Sequence, residues 1–188
     1  DLRSESAAYI TEMDLPGVAI GGVSVGEPKE TMLEVMHHTT PLLPREKPRY
    51  LMGVGTPEDL LDGVRAGIDM FDCVLPSRLG RNGSAYTSLG RINVKNSRYI
   101  NDFRPIDPHC DAWCCREHSG AYIRHLYKCD EILVARVLSY HNLAFYARLM
   151  EGVRAALEED RFEAFRSDFL ARYRSGEAGA RDAADTKG

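Results

Sequence analysis

Three short apolar segments alternate with two helical segments near the start of the chain, and this alternation constrains the fold most. The apolar segments are residues 17–23, 50–54 and 70–75. The second helix has a clear start, because Thr56 can cap it and Pro57 suits its first turn. Strands that alternate with helices form parallel sheets. The sequence therefore predicts an α/β fold built from parallel β/α units.

The third of these segments carries a carboxylate. Its sequence, Met-Phe-Asp-Cys-Val-Leu, is apolar except for Asp72. An acid in a buried parallel strand must be paired, protonated or exposed at the carboxyl end of the strand. We expect an Arg- and Gly-rich loop to follow, in which Arg78 and Arg81 keep Asp72 ionised. Asp72 is thus a candidate nucleophile, and the alternative is an Asp that caps the loop.

Cysteine usage points to a metal site. The chain has five cysteines, an odd number, and three of them lie between Cys110 and Cys115. Such a cluster favours metal binding over a disulfide framework. The chain has no run of eighteen apolar residues, and its first residues lack the features of a signal peptide. We therefore expect a cytoplasmic protein with no membrane segment.

Charge is unevenly distributed. The formal net charge of −4 argues against a protein that coats nucleic acid indiscriminately. Between Arg78 and Arg104, however, six basic residues face one acid, Asp102. This segment is either a phosphate-contacting patch or a solvated basic face.

The rest of the chain reads as a hairpin, a cysteine-bearing loop and helices. A turn signal at Ser88-Leu89-Gly90 predicts a β-hairpin. Apolar spacing predicts helices on both sides of His141. The predicted organisation is incomplete β/α units (1–83), a hairpin with a cysteine-bearing insertion (84–141), carboxyl-terminal helices (142–175) and a disordered tail (176–188).

Four motifs occur in order: Gly21–Glu27 (GGVSVGE), Arg49–Gly55 (RYLMGVG), the segment around Asp72, and the cysteines followed by Tyr140-His141-Asn142. Over about residues 1–165 the chain resembles the queuine tRNA-ribosyltransferase (tRNA-guanine transglycosylase) family, and Val25 resembles its bacterial members. The resemblance implies a (β/α)8 TIM barrel with a zinc-binding insertion. Three β/α units cannot close such a barrel, so we expect a fragment, its carboxyl-terminal portion.

The resemblance also implies an activity. Family members exchange guanine at the wobble position of tRNAs with G-U-N anticodons (Asn, Asp, His and Tyr types) for 7-aminomethyl-7-deazaguanine, through a covalent aspartyl-ribosyl intermediate, in queuosine biosynthesis. Asp72 matches the nucleophile. The positions that match base-binding residues are Gly22, Val23, Ser24, Tyr50, Met52 and Gly53. Arg78 and Arg81 match residues that hold the anticodon. The family's further acid-base aspartate lies upstream of residue 1.

The zinc site departs from the family pattern, which is Cys-x-Cys-x-x-Cys with a distant His. Cys110, Cys115 and His141 match ligands, whereas Ala112 replaces the middle cysteine. Three outcomes are open: Cys114 replaces it, water or Asp111 completes the site weakly, or the site is metal-free. We expect weakened structural Zn²⁺ binding.

Two other functions compete with catalysis. A non-catalytic tRNA-binding or scaffold subunit, or a decayed truncated paralogue, would explain Ala112 and the missing half, but would not explain why Asp72 and Met52 are present. A metal-dependent barrel hydrolase needs His and carboxylate ligands at strand ends, and these strands offer only Asp72. We favour the enzyme, with a homodimer expected for the complete protein.

Overall fold

The computed structural model describes residues 2–23, 26 and 28–185, with side chains described up to residue 176. The chain divides into two compact units, Asp1–Val74 and Leu75–Gly188. The first contains α1 (Leu2–Glu12), β1 (Val18–Ile20), α2 (Lys29–Thr39), β2 (Arg49–Leu51), α3 (Pro57–Arg65) and β3 (Met70–Phe71). The second contains α4 (Leu75–Arg81), β4 (Ser84–Thr87), β5 (Gly90–Asn93), α5 (Trp113–Glu117), α6 (Gly120–Lys128), α7 (Ile132–Glu158) and α8 (Phe162–Asp185).

The first unit is a parallel β/α arrangement, as predicted. Its sheet has the order β1-β2-β3, and both pairs of strands run parallel. Tyr50 in the central strand is aligned with Ala19 on one side and Met70 on the other. The predicted cap of α3 is confirmed, because the backbone N of Asp59 donates to Thr56 Oγ1 at 3.2 Å. Parallel pairing brings the carboxyl ends of the three strands to one edge of the sheet.

The second unit is a hairpin covered by helices. Strands β4 and β5 pair antiparallel, with Thr87 opposite Gly90, which confirms the predicted hairpin. Helix α4 lies directly on α7, because a Cβ atom on Gly80 would come within 2.6 Å of the backbone N of Ser139. The core of this unit includes Ala85, Val94 and Val137, all fully buried.

Three local predictions were wrong. The strand predicted at 70–75 has only two residues, and the predicted Arg- and Gly-rich loop is helix α4. Pro76 suits the first turn of that helix, and the helix is stabilised by packing on α7. The two helices predicted on either side of His141 are one continuous helix, α7, since no residue there breaks it.

The division of the chain also differs from the predicted boundaries. It falls between Val74 and Leu75 instead of after residue 83, and the boundary predicted between 141 and 142 lies inside α7. Helix α8 continues to Asp185, past residue 176 where the sequence predicts a disordered tail, and residues 186–188 lie outside the described part. The strands of the described part form the three-stranded sheet and the hairpin, and the eight-stranded barrel stays a prediction. Within residues 2–23, 26 and 28–185, no helix is long and apolar enough to span a membrane.

Candidate active site and candidate metal centre

The candidate nucleophile lies where β3 ends, at the carboxyl edge of the parallel sheet. The hydroxyl of Tyr50 donates to Asp72 Oδ1 at 2.6 Å, and the backbone N of Gly53 donates to the same oxygen at 2.8 Å. Tyr50 lies in β2, the strand that pairs with β3, and Gly53 lies two residues after the end of β2. The structure thus brings together Asp72, Tyr50 and Gly53, three of the residues singled out in the sequence.

The two hydrogen bonds stabilise the ionised form of this carboxyl group. The Tyr50 hydroxyl, and after it the Gly53 N–H, hold the pKa of Asp72 below its usual value. The carboxylate in turn raises the pKa of the Tyr50 hydroxyl. The sequence analysis expected Arg78 and Arg81 to keep Asp72 ionised, but the groups that lower its pKa are Tyr50 and Gly53. Asp72 is therefore an exposed, ionised and oriented carboxylate, which is what nucleophilic catalysis by an aspartate needs.

The backbone conformation at residue 53 explains why this residue is a glycine. Its φ of +73° lies in the left-handed region, where a side chain would strain the backbone, and this conformation turns its N–H toward Asp72. The neighbouring Met52 is 46% exposed, and its Sδ lies 3.5 Å from where a Cβ of Gly21 would be. A soft, exposed thioether beside bare backbone offers a surface for a flat ring.

The ends of β1 and β2 contribute the remaining predicted base-binding residues. Gly22 is exposed, with φ of +69°, whereas Val23 is buried. Ser24 and Val25 lie outside the described residues. Arg3 in α1 donates to the carbonyl of Gly21 at 3.3 Å. No sequence signal pointed to Arg3, because its partner is 18 residues away.

Arg78 and Arg81 lie on α4 in the second unit, and both side chains are exposed. Near the end of a short helix they form a solvent-facing basic pair. Such exposed guanidinium groups can contact phosphates or stack on bases.

The candidate metal centre lies inside the second unit. Cys110, Cys115 and His141 are all buried, and one potential ligand atom from each lies within 4.8 Å of the other two. Nδ1 of His141 is 3.6 Å from Cys110 Sγ and 3.3 Å from Cys115 Sγ. Two thiols and an imidazole are a donor set that suits Zn²⁺. The three predicted ligands are thus confirmed as a group that could hold a metal ion.

The environment of this centre favours the charged forms of Cys110 and His141, whereas hydrogen bonds with Cys110 and Cys114 raise the pKa of the Cys115 thiol. Burial lowers the pKa of His141, but hydrogen bonds with Cys110 and Cys114 outweigh it and raise this pKa to about 9. Hydrogen bonds from Cys114 and Cys115, together with those from His141 and Arg148, lower the pKa of the Cys110 thiol. A metal ion would replace the proton that these donors share.

The remaining positions of the cysteine segment differ sharply in exposure. Ala112 is the N-cap of α5 and brings no ligand atom. The Asp111 side chain is 89% exposed and pairs with Arg148 at 3.3 Å. Cys114 is fully buried, but it is not one of the three residues whose potential ligand atoms lie within 4.8 Å of one another.

Three residues that support this centre were given no role in the sequence analysis. Arg148 donates from Nη1 to Cys110 Sγ at 3.0 Å. Asp107, fully buried, accepts from the backbone N and hydroxyl of Ser88 at 3.0 and 2.6 Å. Asn142 accepts from the backbone N of Tyr86 at 2.9 Å. Their partners are distant in sequence, so no local pattern could have indicated them.

Comparison with known proteins agrees with the motifs. A family model described as "Queuine tRNA-ribosyltransferase" matches residues 1–175. Relatives with that name from Geobacillus thermodenitrificans and Anoxybacillus flavithermus are each 57% identical over 173 residues, which is 92% of this chain and 46% of each relative. One from Listeria welshimeri is 55% identical over the same length. The chain therefore spans about half the length of these curated relatives. It belongs to the queuine tRNA-ribosyltransferase family.

Proposed function

We propose that the chain is the carboxyl-terminal part of a tRNA-guanine transglycosylase, a pentosyltransferase with a TIM-barrel fold. The complete protein exchanges guanine at the wobble position of tRNAs with G-U-N anticodons for 7-aminomethyl-7-deazaguanine, a step of queuosine biosynthesis. The observation that carries the proposal is the Asp72 carboxylate, exposed at the carboxyl edge of a parallel sheet and held by Tyr50 and Gly53. Catalytic groups of barrel enzymes lie at this edge.

Asp72 is the nucleophile of this exchange. Oδ1 accepts both hydrogen bonds, so we assign the attack on C1′ of the target guanosine to Oδ2. The C1′–N9 bond breaks as the ester forms, and guanine leaves with the bonding electrons and takes up a proton. N9 of the incoming base then attacks C1′ and loses its proton, and the carboxylate departs. A carboxylate suits this double displacement because it stabilises an oxocarbenium-like transition state.

The surrounding residues bind the base and the RNA. Tyr50, Met52 and Gly53 line the base, while the backbone at Gly22, Val23 and Ser24 recognises its edge. The 46% exposure of Met52 and the left-handed Gly22 support these roles. Arg78 and Arg81 hold the anticodon beside the target nucleotide, which must leave its stack to react. Their exposed guanidinium groups support this role.

A structural Zn²⁺ is proposed at Cys110, Cys115 and His141. Their burial and mutual proximity support it. The ion would tie the cysteine segment to α7. The family resemblance supports a homodimer that works in the cytoplasm. No contact among the described residues bears on this part of the proposal.

The nucleophile is tested by Asp72→Asn. The chain is joined to the amino-terminal half of the Geobacillus relative, and incorporation of labelled guanine into unmodified tRNA with a G-U-N anticodon is measured. We expect exchange to fall by more than about 1,000-fold while tRNA binding persists. Asp168→Asn, an exposed change on α8, is the control. Substantial guanine exchange by the Asp72→Asn variant would refute the assignment of Asp72 as the nucleophile. Binding without exchange by the unmutated protein would instead support the scaffold function.

A further inference from the structure

We propose that the metal centre has three protein ligands and an open fourth position, which faces a surface pocket and takes a thiolate from solution. The inference rests on the zinc site proposed above. It concerns Ala112, the residue of this chain at the position where the family pattern has a cysteine. A small molecule that carries both a thiol and a carboxylate is the expected ligand.

The part of the chain that the structure describes brings three ligands together. The potential ligand atoms that lie within 4.8 Å of one another belong to Cys110, Cys115 and His141. Cys114 is fully buried but is not a member of this group, and the Asp111 side chain is 89% exposed. Zinc in proteins is bound by four ligands in a tetrahedron, or by three protein ligands and one molecule from solution. The donor set of this chain corresponds to the second kind of site.

A pocket of about 490 Å³ lies beside this centre, and its wall includes Ala112 and Arg148. Ala112 is half-buried and packs against the core cluster that contains Cys110 and Cys115. Arg148 Nη1 lies 3.0 Å from Cys110 Sγ. The same two side chains therefore border both the pocket and the cysteines. At Ala112 the pocket reaches the ligands, because a methyl group lies where the family pattern has a thiol.

The chemistry of the pocket favours an anion with a soft donor atom. Thiolates are ligands that zinc prefers, and Zn²⁺ with two thiolates and a neutral imidazole carries no net charge that would repel a third. The exposed guanidinium of Arg116 belongs to the pocket wall and can pair with a carboxylate. The rings of Trp113 and Tyr140, 5.5 Å apart, supply apolar surface. Mercaptoacetate is the simplest probe that has both groups.

Binding of this probe changes one coordination bond and one proton. The thiol sulfur forms a bond with the ion, the thiol proton passes to the buffer, and a solvent molecule leaves the fourth position. No electron is transferred, so the step needs no oxidant. The affinity for mercaptoacetate should therefore rise with pH as its thiol loses its proton.

Cobalt substitution tests the open position, because thiolate-to-Co²⁺ charge-transfer absorption grows with the number of bound thiolates. The chain is loaded with Co²⁺ and titrated with mercaptoacetate, and glycolate, its hydroxyl analogue, is the control ligand. We expect mercaptoacetate to raise the absorption by about one-half, in proportion to a third thiolate beside two, and glycolate to leave it unchanged. No response to mercaptoacetate would refute the open position, while the zinc site would stand. No Co²⁺ uptake by the unmutated chain would refute the zinc site itself.

Two variants at the cysteine segment identify the position that the probe occupies. Ala112→Cys should fill it, so its absorption should be about one-half higher without mercaptoacetate and should not respond to the probe. A response equal to that of the unmutated chain would refute the proposal. Cys114→Ser should keep both the absorption and the response, whereas a loss of absorption would identify Cys114 as a ligand and also refute it. Cys129→Ser removes an exposed cysteine and is the matched control.

Arg116→Gln tests the pocket as the route to the ion. The variant removes the charge that pairs with the carboxylate of the probe. We expect mercaptoacetate to bind about 2- to 5-fold more weakly, with the same absorption at saturation. Arg154→Gln, an exposed change on α7, should leave the affinity unchanged. Equal affinities in the two variants would show that the probe does not bind through this pocket.

Discussion

His141 donates from Nε2 to the carbonyl oxygen of Tyr86 at 2.7 Å. A carbonyl accepts only, so this nitrogen carries a proton and Nδ1 is the atom that faces the cysteines. The adjacent Asn142 accepts from the backbone N of the same Tyr86. Two consecutive side chains of α7 thus bind both polar backbone groups of one strand residue. The hairpin thereby orients a candidate metal ligand, as outer partners do in metal sites.

Asn142→Ala should destabilise the second unit by about 3 kcal/mol or more. The Asn142 amide also donates to the carbonyls of Pro76 and Ser84 at 2.8 and 3.2 Å, and each buried group left unpaired costs about 1–3 kcal/mol. Urea unfolding followed by the fluorescence of Trp113, the single tryptophan, measures the change. The exposed Asn101→Ala should shift it by less than about 0.5 kcal/mol. Equal effects of the two variants would contradict this role of Asn142.

Arg148→Met should weaken metal binding by roughly 10-fold or more, because it removes the donor that lies 3.0 Å from Cys110 Sγ. Competition with a chromophoric chelator measures the affinity. Arg154→Met removes an exposed arginine from the same helix and should leave the affinity unchanged. An unaltered affinity in Arg148→Met would show that the guanidinium does not stabilise the thiolate.

Tyr50→Phe should raise the pKa of Asp72. The hydroxyl is the largest cause that lowers this pKa below 3.8, while the Gly53 N–H remains in the variant. Asp72 stays ionised to lower pH than an ordinary aspartate, so without the hydroxyl its protonation should begin at a higher pH. Titration of the side-chain carboxyl by ¹³C NMR measures the shift. Tyr9→Phe, at a 62% exposed tyrosine, is the control. An unmoved Asp72 titration would contradict the assigned hydrogen bond.

Gly80→Ala should destabilise the second unit by about 1–3 kcal/mol, because the new methyl would lie 2.6 Å from the backbone N of Ser139. Gly152→Ala is the matched comparison on α7. There the methyl would meet the Phe165 ring at 2.9 Å, a half-buried side chain that can turn, and alanine gains helix propensity of up to about 1 kcal/mol. Urea midpoints should therefore separate the two variants. Similar midpoints would argue against direct backbone contact between α4 and α7.

Features with local signals were predictable from the sequence. Thr56 caps a helix through a residue three positions away, and the hairpin follows from its turn. The cysteine spacing located the metal centre, since the ligands follow one another closely. Asp72, the one acid of an apolar segment, indicated the carboxyl end of the strand as one of its possible positions.

Features that depend on distant contacts were not predictable. Helix α4 contains Gly80 and is only seven residues long, so its sequence suggests a loop. It is stabilised by α7, which is distant in sequence: the Ser139 hydroxyl donates to the Ser77 carbonyl across 62 residues. Asn142 bonds to Pro76 across 66 residues. The sequence also could not tell which way Cys114 points, because the inward direction depends on the packing of α5 beneath α7.

The contact between Asn142 and Pro76 joins the residue after His141 to the helix that carries Arg78 and Arg81. Asn142 is therefore a common neighbour of the candidate metal ligand and of the helix that carries the exposed arginines, and a shift of α7 at this residue would stretch or break its bond to the Pro76 carbonyl.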